Sequence, residues 1–510
     1  MNGNLYARFA ARFPKDRSRH FIDMPGPGGM SGVHYTYGDL ESISGRFARL
    51  IADLGAKPGD RLVAQTEKSP EALFLYLACL RAGVIYVPLN TAYRPAELEY
   101  FLGDAEPRVL VCDPGAEASL APIARAAKVA HVLTLGADGR GTLTARAEHL
   151  DSAFPVAARS ADDIAAILYT SGTTGRSKGA MLSHDNLGSN AEVLHKAWGF
   201  VPDDVLLHAL PIYHTHGLFV ACHCVLMNGT GMIFRTKFDA VEIASLLPRA
   251  TVFMGVPTYY VRLLGLSDFG RAPCAGMRLF VSGSAPLLEE TFRLFQDRTG
   301  HTILERYGMT EAGMITSNPL AGPRVAGSVG PPLPGVSARV ADEGGRILGA
   351  DEVGVLEIKG PNVFKGYWRN AEKTKQEFRP DGYFITGDVS RIGKDGYVDI
   401  VGRAKDLIIS GGLNVYPKEI ELKLDSLDGV GESAVIGLPH PDFGEAVAAV
   451  IAAKPGATPD AEAMIARLKD EMAAFKVPKK LFFVDDLPRN AMGKVQKNVL
   501  RERYKDAFGA

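Results

Sequence analysis

A glycine- and hydroxyl-rich loop that follows an apolar strand constrains this chain more than any other feature. The loop, Tyr169–Gly179, contains Lys178, and the apolar run Ile164–Leu168 leads directly into it. Glycines let backbone N–H groups turn toward an anion, while hydroxyls and a lysine add donors and charge. A flexible surface loop is a poor alternative, because a buried type of strand enters it. The pattern predicts a phosphate-binding loop.

The spacing within this loop excludes a kinase-like P-loop. That motif needs a glycine directly before its lysine, whereas Ser177 precedes Lys178. The loop therefore points to a nucleotide bound on some other α/β fold.

Composition narrows the class of protein. With 510 residues the chain should hold at least two domains, and 46% hydrophobic with 23% charged residues is typical of a soluble globular protein. Lys and Arg (57) nearly balance Asp and Glu (58), which gives no sign of a nucleic-acid or membrane partner. Five scattered cysteines fit a reducing compartment, and we expect a cytoplasmic protein. Cys222–Cys224 is expected in an apolar helix rather than at a metal.

Strand-like segments such as Val109–Cys112 alternate with helical segments such as Ser69–Ala82 and Leu287–Arg298, which predicts an α/β architecture with largely parallel sheets. We expect a large N-terminal domain over residues 1–402, built of α/β subdomains plus a barrel-like β piece near Asp342–Lys359. Residues 403–405 are the expected hinge, and residues 406–510 a small, mobile α+β domain. The N-terminal spacing of Leu5, Phe9 and Phe13 predicts an amphipathic first helix.

Further segments add groups that suit a nucleotide. Ser282–Pro286 is a small-residue turn after a strand, and Glu305–Glu311 offers an aromatic ring, a hydroxyl and a carboxylate. Thr386–Asp388 ends a strand-like run with a carboxylate, and Pro488–Lys494 puts a lysine in a tight polar turn. Each segment alone is a weak signal, and their occurrence together in this order is a strong one.

From about residue 20 onward the chain resembles the adenylate-forming superfamily of acyl-CoA synthetases, adenylation domains and luciferases. The resemblance implies a two-step reaction: a carboxylate and MgATP give an acyl-adenylate and pyrophosphate, and a thiol such as that of coenzyme A then displaces AMP. Such chemistry needs positioning and charge neutralisation rather than a protein nucleophile.

By this resemblance, the roles fall to four groups of residues. The phosphate contacts are expected at Thr170, Ser171, Gly172, Thr173, Thr174, Gly175 and Lys178. Adenine and ribose are expected at Gly283, Ser284, Ala285, Tyr307, Asp388 and Arg403. The catalytic residues are expected to be Thr310 at the α-phosphate, Glu311 at Mg²⁺ and Lys494 at the forming mixed anhydride. Lys405 is the expected hinge residue, and Gly411 and Gly412 are expected to leave a slot for the pantetheine arm of coenzyme A.

Strand alternation suggests which acid is bound. In the strand before the motif, Arg306 should point away from Tyr307 and the nucleotide, toward the acyl pocket. An arginine there suits a second carboxylate, which it can grip bidentately. Arg262 lies on the same helical face as Thr258 and is a second candidate, and Ser284 could donate a further hydrogen bond. A surface position for Arg262 and an ion pair of Arg306 with a nearby glutamate are the alternatives.

Four segments resemble the malonyl-CoA synthetases: Pro211–Gly217, Glu305–Pro319, Gly360–Tyr367 and Pro488–Lys497. This resemblance implies that Arg262, Ser284 and Arg306 hold the distal carboxylate of malonate. It also implies that His214, Thr215 and Met314 border a short acyl pocket. The small residues Ala312 and Gly313 suggest room for methylmalonate.

Three alternatives to malonate–CoA ligation stay open at this point. The acid could be methylmalonate or another short acid, the thiol could belong to a carrier protein, or the chain could bind a nucleotide without catalysis. The presence of Lys494 argues against the last of these. Lys494 also lies in an exposed type of loop, so a lysine acyltransferase acting on it is a further hypothesis.

Overall fold

The computed structural model describes residues 2–26, 32–170, 177–342, 344–410, 413–440, 443–472, 474–490 and 493–509, except the side chains of residues 405 and 414. The chain forms two compact units, Met1–Ser337 with Lys359–Phe384 and Ala338–Ile358 with Ile385–Ala510. No helix among the described residues is long and apolar enough to cross a membrane.

The first unit alternates strands and helices. Its strands are β1 His20–Met24, β2 Val33–Thr36, β3 Arg61–Gln65, β4 Ile85–Pro88, β5 Val109–Cys112, β6 His131–Thr134, β7 Ile164–Thr170, β8 Lys178–Ser183, β9 Val205–His208, β10 Gly231–Phe234, β11 Val252–Gly255, β12 Leu279–Ser282, β13 Leu304–Met309 and β14 Gly313–Ser317. Its helices are α1 Leu5–Ala10, α2 Tyr37–Asp53, α3 Pro70–Ala82, α4 Pro95–Ala105, α5 Glu117–Ala126, α6 Thr142–Ala147, α7 His184–Ala197, α8 His223–Asn228, α9 Ala240–Leu246, α10 Pro257–Leu264, α11 Arg271–Cys274, α12 Glu289–Thr299 and α13 Ala371–Gln376, with a π-helix at His216–Cys222 and 3₁₀ turns at Pro114–Ala116 and Leu247–Arg249.

Two largely parallel sheets organise this unit. A six-stranded sheet has the order β6-β5-β3-β4-β7-β8, and an eight-stranded sheet has the order β14-β13-β12-β11-β9-β10-β1-β2. The strands β7 and β13 each turn into an antiparallel partner, β8 and β14 respectively. Thr170 and Lys178 of the predicted phosphate loop therefore lie at strand ends, and Thr310 and Glu311 lie between β13 and β14. The predicted α/β class is confirmed.

The second unit contains the remaining elements. They are β15 Ser337–Ala341, β16 Gly354–Lys359, β17 Phe384–Ile392, β18 Val398–Arg403, a 3₁₀ turn at Ala404–Asp406, β19 Ile408–Ser410, β20 Leu413–Val415, α14 Pro417–Asp425, β21 Val430–His440, β22 Gly444–Ala453, α15 Ala461–Glu471, β23 Lys480–Val484 and α16 Lys497–Tyr504. A four-stranded sheet has the order β15-β16-β17-β18, and a five-stranded sheet has the order β20-β19-β22-β21 with β23 beside β22. The compact units thus group the predicted β-rich piece with the C-terminal residues, while the predicted boundary at residue 402 stays a prediction.

Local sequence signals explain several element ends. Ser69 caps α3 through the N–H of Ala72, and Pro70 occupies the first turn. Leu5 and Phe9 are buried in α1 as predicted, but the helix ends at Ala10, and Phe13 is buried beyond it. Phe13 precedes a proline, which disfavours helical backbone at the residue before it.

Candidate active site

The phosphate-loop motif is held between two paired strands. Thr170 ends β7 and Lys178 begins β8, and the two are direct partners in the ladder. The hydroxyl of Tyr100 donates to the carbonyl of Ser177 at 2.7 Å, which fixes the chain where it enters β8. Ser171, Gly172, Thr173, Thr174 and Gly175 lie outside the described residues. Thr170 and Lys178 therefore mark the two ends of the predicted phosphate site.

Tyr367 connects the side chains of Lys178 and Glu311. The Nζ atom of Lys178 lies 4.8 Å from the centroid of the Tyr367 ring, and the Tyr367 hydroxyl donates to Oε1 of Glu311 at 3.1 Å. Burial and the nearby Lys373 lower the pKa of Lys178, while Glu377 and Glu311 act in the opposite direction. No role was predicted for Tyr367 from the sequence, although it ends the segment Gly360–Tyr367 that resembles the malonyl-CoA synthetases.

Glu311 lies in a turn whose backbone is firmly held. It is 7% exposed, and its carbonyl accepts the N–H of Phe364 at 2.7 Å. Asn190 holds the backbone of Met314 through both its N–H and its carbonyl. These contacts fix the turn from half-buried Thr310 to Met314, where β13 reverses into β14.

The donor set suits a magnesium ion carried by ATP. The described residues contain no cluster of three or more His, Cys, Asp or Glu side chains that could hold a metal. Mg²⁺ at nucleotide sites typically uses one or two carboxylates and takes its other ligands from phosphates and water. Glu311 would supply such a carboxylate, and the ion would neutralise charge on the phosphates.

The adenine segment follows β12 and adopts an unusual backbone. Ser284 has a φ of +72°, a left-handed conformation that is uncommon for residues other than glycine. Ser284 and Ala285 are half-buried, and Gly283 is buried beside them. Tyr307 is half-buried on β13, the strand next to β12. This turn and Tyr307 thus lie at the ends of adjacent strands.

Arg306 is buried and closely packed against Gly283. It is 2% exposed, and a Cβ atom at position 283 would lie 2.5 Å from its Cζ atom. Among the described residues, its Nε and Nη2 atoms have no hydrogen-bond partner. Burial lowers the pKa of Arg306 to about 9, with Tyr260 and Glu305 opposing the shift, so the group is charged at neutral pH. Two buried donors therefore remain for an anion.

Histidine and hydroxyl groups surround this arginine. His216 is fully buried, and its Nδ1 atom lies 3.2 Å from the hydroxyl of Ser284. Burial, with Arg306 and His214 nearby, lowers the pKa of His216 well below its usual value, so the ring is neutral. Thr215 is 3% exposed, and its hydroxyl has no hydrogen-bond partner within the described ranges. The group combines one cation with neutral polar atoms.

Arg262 occupies a different kind of position. It lies on α10 at an exposed site. Burial raises the pKa of Tyr259, and the nearby Arg262 acts in the opposite direction. The structure thus leaves the distal-carboxylate role of Arg262 a prediction.

Gly313 has a φ of +56°, and a Cβ atom there would lie 2.6 Å from Oδ1 of Asn190. Its small size therefore follows from the backbone, and it is no evidence for a roomier pocket.

In the second unit, Asp388 and Arg403 form an ion pair. They are direct partners on β17 and β18, with 2.7 Å between Oδ1 of Asp388 and Nε of Arg403. Asp388 is 2% exposed, and its N–H donates to the Thr386 hydroxyl at 3.1 Å. The arrangement holds a carboxylate at a strand end, as the ribose role requires.

The side chain of Lys405 and the residues Gly411 and Gly412 lie outside the described part of the chain. The hinge and the pantetheine slot therefore stay predictions.

Lys494 is exposed in a short closed loop. Asn490 accepts the N–H of Lys494 at 3.0 Å through Oδ1, and the N–H of Asn490 donates to the carbonyl of Lys494 at 2.9 Å. Three residues later, Nζ of Lys497 pairs with Oε1 of Glu421 at 2.6 Å. This pair fastens the start of α16, directly after the loop, to α14.

A phosphate-loop motif, a carboxylate for magnesium and a carboxylate–arginine pair at a strand end define a nucleotide-using enzyme. Residues 6–368 match the AMP-binding enzyme family, and residues 419–494 match the AMP-binding enzyme C-terminal domain. The chain belongs to the AMP-binding enzymes.

Three relatives narrow the comparison. The chain is 56% identical to MatB from Rhodopseudomonas palustris, solved with ATP bound, over the whole of both chains with a TM-score of 0.96. It is 36% identical to a mitochondrial malonate–CoA ligase of Mus musculus, over 92% of this chain and 87% of that protein. It is also 34% identical to a feruloyl-CoA synthase of Amycolatopsis sp, over 93% and 94% of the two chains. The malonate–CoA ligase and the feruloyl-CoA synthase are named for different acids.

Proposed function

We propose that this protein is an AMP-forming acid–thiol ligase that joins malonate to coenzyme A. In the first step a carboxylate oxygen of malonate attacks the α-phosphorus of ATP, forming malonyl-adenylate, and pyrophosphate leaves. In the second step the thiol of coenzyme A attacks the acyl carbon, its proton is lost to solvent, and AMP leaves with the bonding electrons. Each step exchanges one bond for another and needs no redox partner.

The observation that supports the choice of acid is the buried Arg306, whose Nε and Nη2 atoms have no partner within the part of the chain that the structure describes. A buried cation without a partner is costly, and a carboxylate can accept from both donors at once. An apolar or aromatic acyl tail would leave these donors unsatisfied. Ser284 and His216 offer neutral hydrogen bonds beside the cation. The pocket therefore favours a short acid with a second carboxylate, and malonate is an acid of this kind.

The nucleotide roles follow the positions of the charged groups. Lys178 would neutralise the β- and γ-phosphates at the start of β8, and Glu311 would hold the magnesium ion that accompanies them. Thr310 contacts the α-phosphate, and Asp388 with Arg403 takes the ribose. Lys494 stabilises the charge that develops between the carboxylate and the α-phosphate in the transition state. Tyr367 orients Glu311 through its hydroxyl.

The test is acid-dependent pyrophosphate release by the purified protein with MgATP. Malonate, methylmalonate, acetate and butyrate are compared, each with and without coenzyme A. We expect strong release with malonate, sustained only when coenzyme A is present. Release with the monoacids and none with malonate would keep the adenylate chemistry and refute the role of Arg306. A carrier protein added in competition with coenzyme A identifies the thiol acceptor.

Lysine acylation at Lys494 is a second proposal, supported by the exposure of that side chain. Acylation removes the charge that the first step uses, so it would switch off adenylate formation. Treatment of the protein with a lysine deacylase should restore activity to a modified preparation. Mass spectrometry that finds Lys494 unmodified in cells under several carbon sources would contradict the proposal. The five scattered cysteines support a cytoplasmic location as a separate proposal, which cell fractionation tests.

A further inference from the structure

Lys68 is a buried cation that the proposed chemistry does not use. It lies between β3 and α3 and is 7% exposed. Its Nζ atom lies 2.7 Å from Nδ1 of His208, 3.1 Å from the carbonyl oxygen of His208 and 2.6 Å from the carbonyl oxygen of Arg235. The ring of Phe234 lies 4.3 Å away on another side. Lys68 therefore joins the end of the six-stranded sheet to the ends of β9 and β10 in the eight-stranded sheet.

The surroundings of Lys68 favour its protonated form. Nε2 of His208 lies 3.0 Å from the carbonyl oxygen of Gly217, which can only accept, so Nε2 carries the proton of the neutral ring and Nδ1 accepts. Three acceptors therefore face the Lys68 nitrogen, and an ammonium group has three N–H donors, whereas a neutral amine has two. Burial acts in the other direction and lowers the pKa of Lys68 well below its usual value. A neutral amine would leave one buried acceptor without a donor, which costs free energy of its own. We therefore assign an ammonium group to this site.

The ammonium group agrees with the tautomer of His208 that the Gly217 carbonyl requires. An ammonium group can only donate, so Nδ1 of His208 accepts, and the ring proton resides on Nε2. Nε2 lies 3.0 Å from the carbonyl oxygen of Gly217 and donates to it. Burial keeps the ring neutral by lowering its pKa well below the usual value. Lys68 thus acts through His208 on the backbone of Gly217.

Gly217 lies in the π-helix that begins at His216. π-Helices are rare, and they occur frequently at functional sites. A Cβ atom at position 217 would lie 2.1 Å from the carbonyl oxygen of Pro211, so this backbone is closely packed on both sides. Nδ1 of the adjacent residue, His216, lies 3.2 Å from the Ser284 hydroxyl. Burial, with Arg306 nearby, lowers the pKa of His216. The contacts therefore run from Lys68 to the group around Arg306.

We propose that Lys68 and His208 are positioning residues for the acyl pocket. They hold the start of the π-helix so that His216 and Ser284 present their polar atoms beside Arg306. This inference rests on the proposed function for the identity of the acid, although the positioning role applies to any acid bound there. The alternative is that Lys68 only joins the two sheets, in which case its loss would lower stability without a preference among substrates.

The test compares Michaelis constants for the acid and for ATP in substituted proteins. Lys68→Met keeps the length of the side chain and removes its donors. We expect the KM for malonate to rise by about tenfold, equivalent to about 1.4 kcal/mol. The KM for ATP should rise much less than the KM for malonate, because Lys178, Glu311 and Asp388 lie on other elements, although Ser284 also belongs to the adenine segment. Tyr37→Phe is the matched control, since it removes a buried hydrogen bond to the carbonyl oxygen of Thr230 at 2.7 Å. Thr230 precedes β10, whereas the Arg235 carbonyl that Lys68 contacts follows the other end of that strand.

Two His208 variants separate positioning from general loss of packing. His208→Gln retains an N–H donor for Gly217, whereas His208→Leu retains none. We expect the KM for malonate to rise more in His208→Leu than in His208→Gln. If either Lys68→Met or His208→Leu fails to fold, His208→Gln and Lys68→Gln carry the comparison. Equal rises in both Michaelis constants, or a lower melting temperature with unchanged constants, would refute the proposal.

The same assay keeps the two proposals apart. The unsubstituted protein is first tested with the full panel of acids. If it uses another acid and no malonate, the proposed function is wrong, and the KM for the acid that it does use still tests Lys68. If it uses malonate and Lys68→Met changes no acid KM, the proposed function stands and the positioning role is refuted.

Discussion

The guanidinium group of Arg306 lies directly against Gly283, with 2.5 Å between its Cζ and the position that a Cβ atom at residue 283 would occupy. The adenine segment and the proposed acid-binding residue thus share one packed contact. A change on either side must disturb the other, because the interior is close-packed.

Gly283→Ala should impair both substrates together. The added methyl group forces Arg306 to move, and we expect kcat/KM for malonate to fall by at least about tenfold, or about 1.4 kcal/mol. Steady-state kinetics with each substrate varied in turn measure this. Gly103→Ala is the control, since a Cβ atom there meets nothing within 4 Å, and it should leave the kinetics unchanged. Normal malonate kinetics in Gly283→Ala would mean that Arg306 is not held where the structure places it.

Arg306→Met should make the protein more stable and less active. Its Nε and Nη2 atoms are buried without a partner within the described part of the chain, so removing the cation should raise the free energy of unfolding by about 1–3 kcal/mol. Malonate turnover should collapse, while turnover of acetate or butyrate should improve. Chemical denaturation without ligands and the acid panel test the two halves separately.

Arg298→Met is the contrasting variant for this experiment. Arg298 donates to the carbonyl oxygens of Leu264, Leu266 and Phe269, at 2.5, 2.7 and 2.5 Å. Its loss should lower stability, because it leaves buried acceptors unpaired. Destabilisation of both arginine variants to the same extent would contradict the view that Arg306 is unsatisfied without an anion.

Tyr367→Phe should weaken the magnesium site while leaving the ring beside Lys178 in place. The loss of its hydrogen bond to Glu311 should raise the magnesium concentration needed for half-maximal rate by a few-fold, corresponding to about 1 kcal/mol. Titration of magnesium at fixed ATP measures the effect. Tyr383→Phe, which removes a contact with Ser337 at 2.7 Å on the surface, is the control. An unchanged magnesium requirement would leave Tyr367 a packing residue only.

Lys494→Ala should separate the two half-reactions. The first step needs its charge, so adenylate formation should fall by at least about a hundredfold, or about 2.7 kcal/mol. Conversion of supplied malonyl-adenylate and coenzyme A to product should continue. Lys505→Ala is the control, because Lys505 is exposed and pairs only locally with Glu502. Loss of the second step in Lys494→Ala would contradict the division of labour.

Asp425 should make stability depend on pH. Burial raises the pKa of Asp425 to about 6, although Ser433 donates to it at 2.7 Å. The folded state therefore binds this proton more tightly than the unfolded state does, and the free energy of unfolding falls as pH rises from about 4 to about 6.

Asp425→Asn removes the buried charge and should stabilise the protein at pH 7.5 by about 1–2 kcal/mol. The difference from the unsubstituted protein should shrink as pH falls below about 6. Denaturation across this pH range measures it, and Asp428→Asn at an exposed position is the control. A constant difference at every pH would show that folding does not shift the pKa of Asp425.

The sequence predicted features that depend on neighbouring residues. Ser69 with Pro70 marked the start of α3, and the apolar run at Val109–Cys112 was the strand β5. Strand alternation placed Arg306 away from Tyr307, and the structure buries the first and half-buries the second. Such features follow from short-range backbone geometry, which a single sequence carries.

Features that join distant residues could not be predicted. Lys68 and His208 are 140 positions apart, and nothing in either segment indicates their contact. Helix α12 was expected from Leu287 but begins at Glu289, because the N–H of Leu287 donates to Glu305 on β13. The left-handed backbone of Ser284 likewise depends on tertiary packing. These positions belong to the site, where function overrides local preference.

Nε and Nη2 of Arg306 are buried without a partner among the described residues, and this has a consequence for how specificity can change over evolutionary time. A single substitution to an apolar residue removes an energetic burden from the fold while it removes the grip on a dicarboxylate. A change toward monoacid substrates therefore raises the free energy of unfolding, and only selection for the reaction retains the arginine. The reverse change must introduce a buried cation, which costs stability. Specificity for a dicarboxylate should therefore be lost more easily than it is regained.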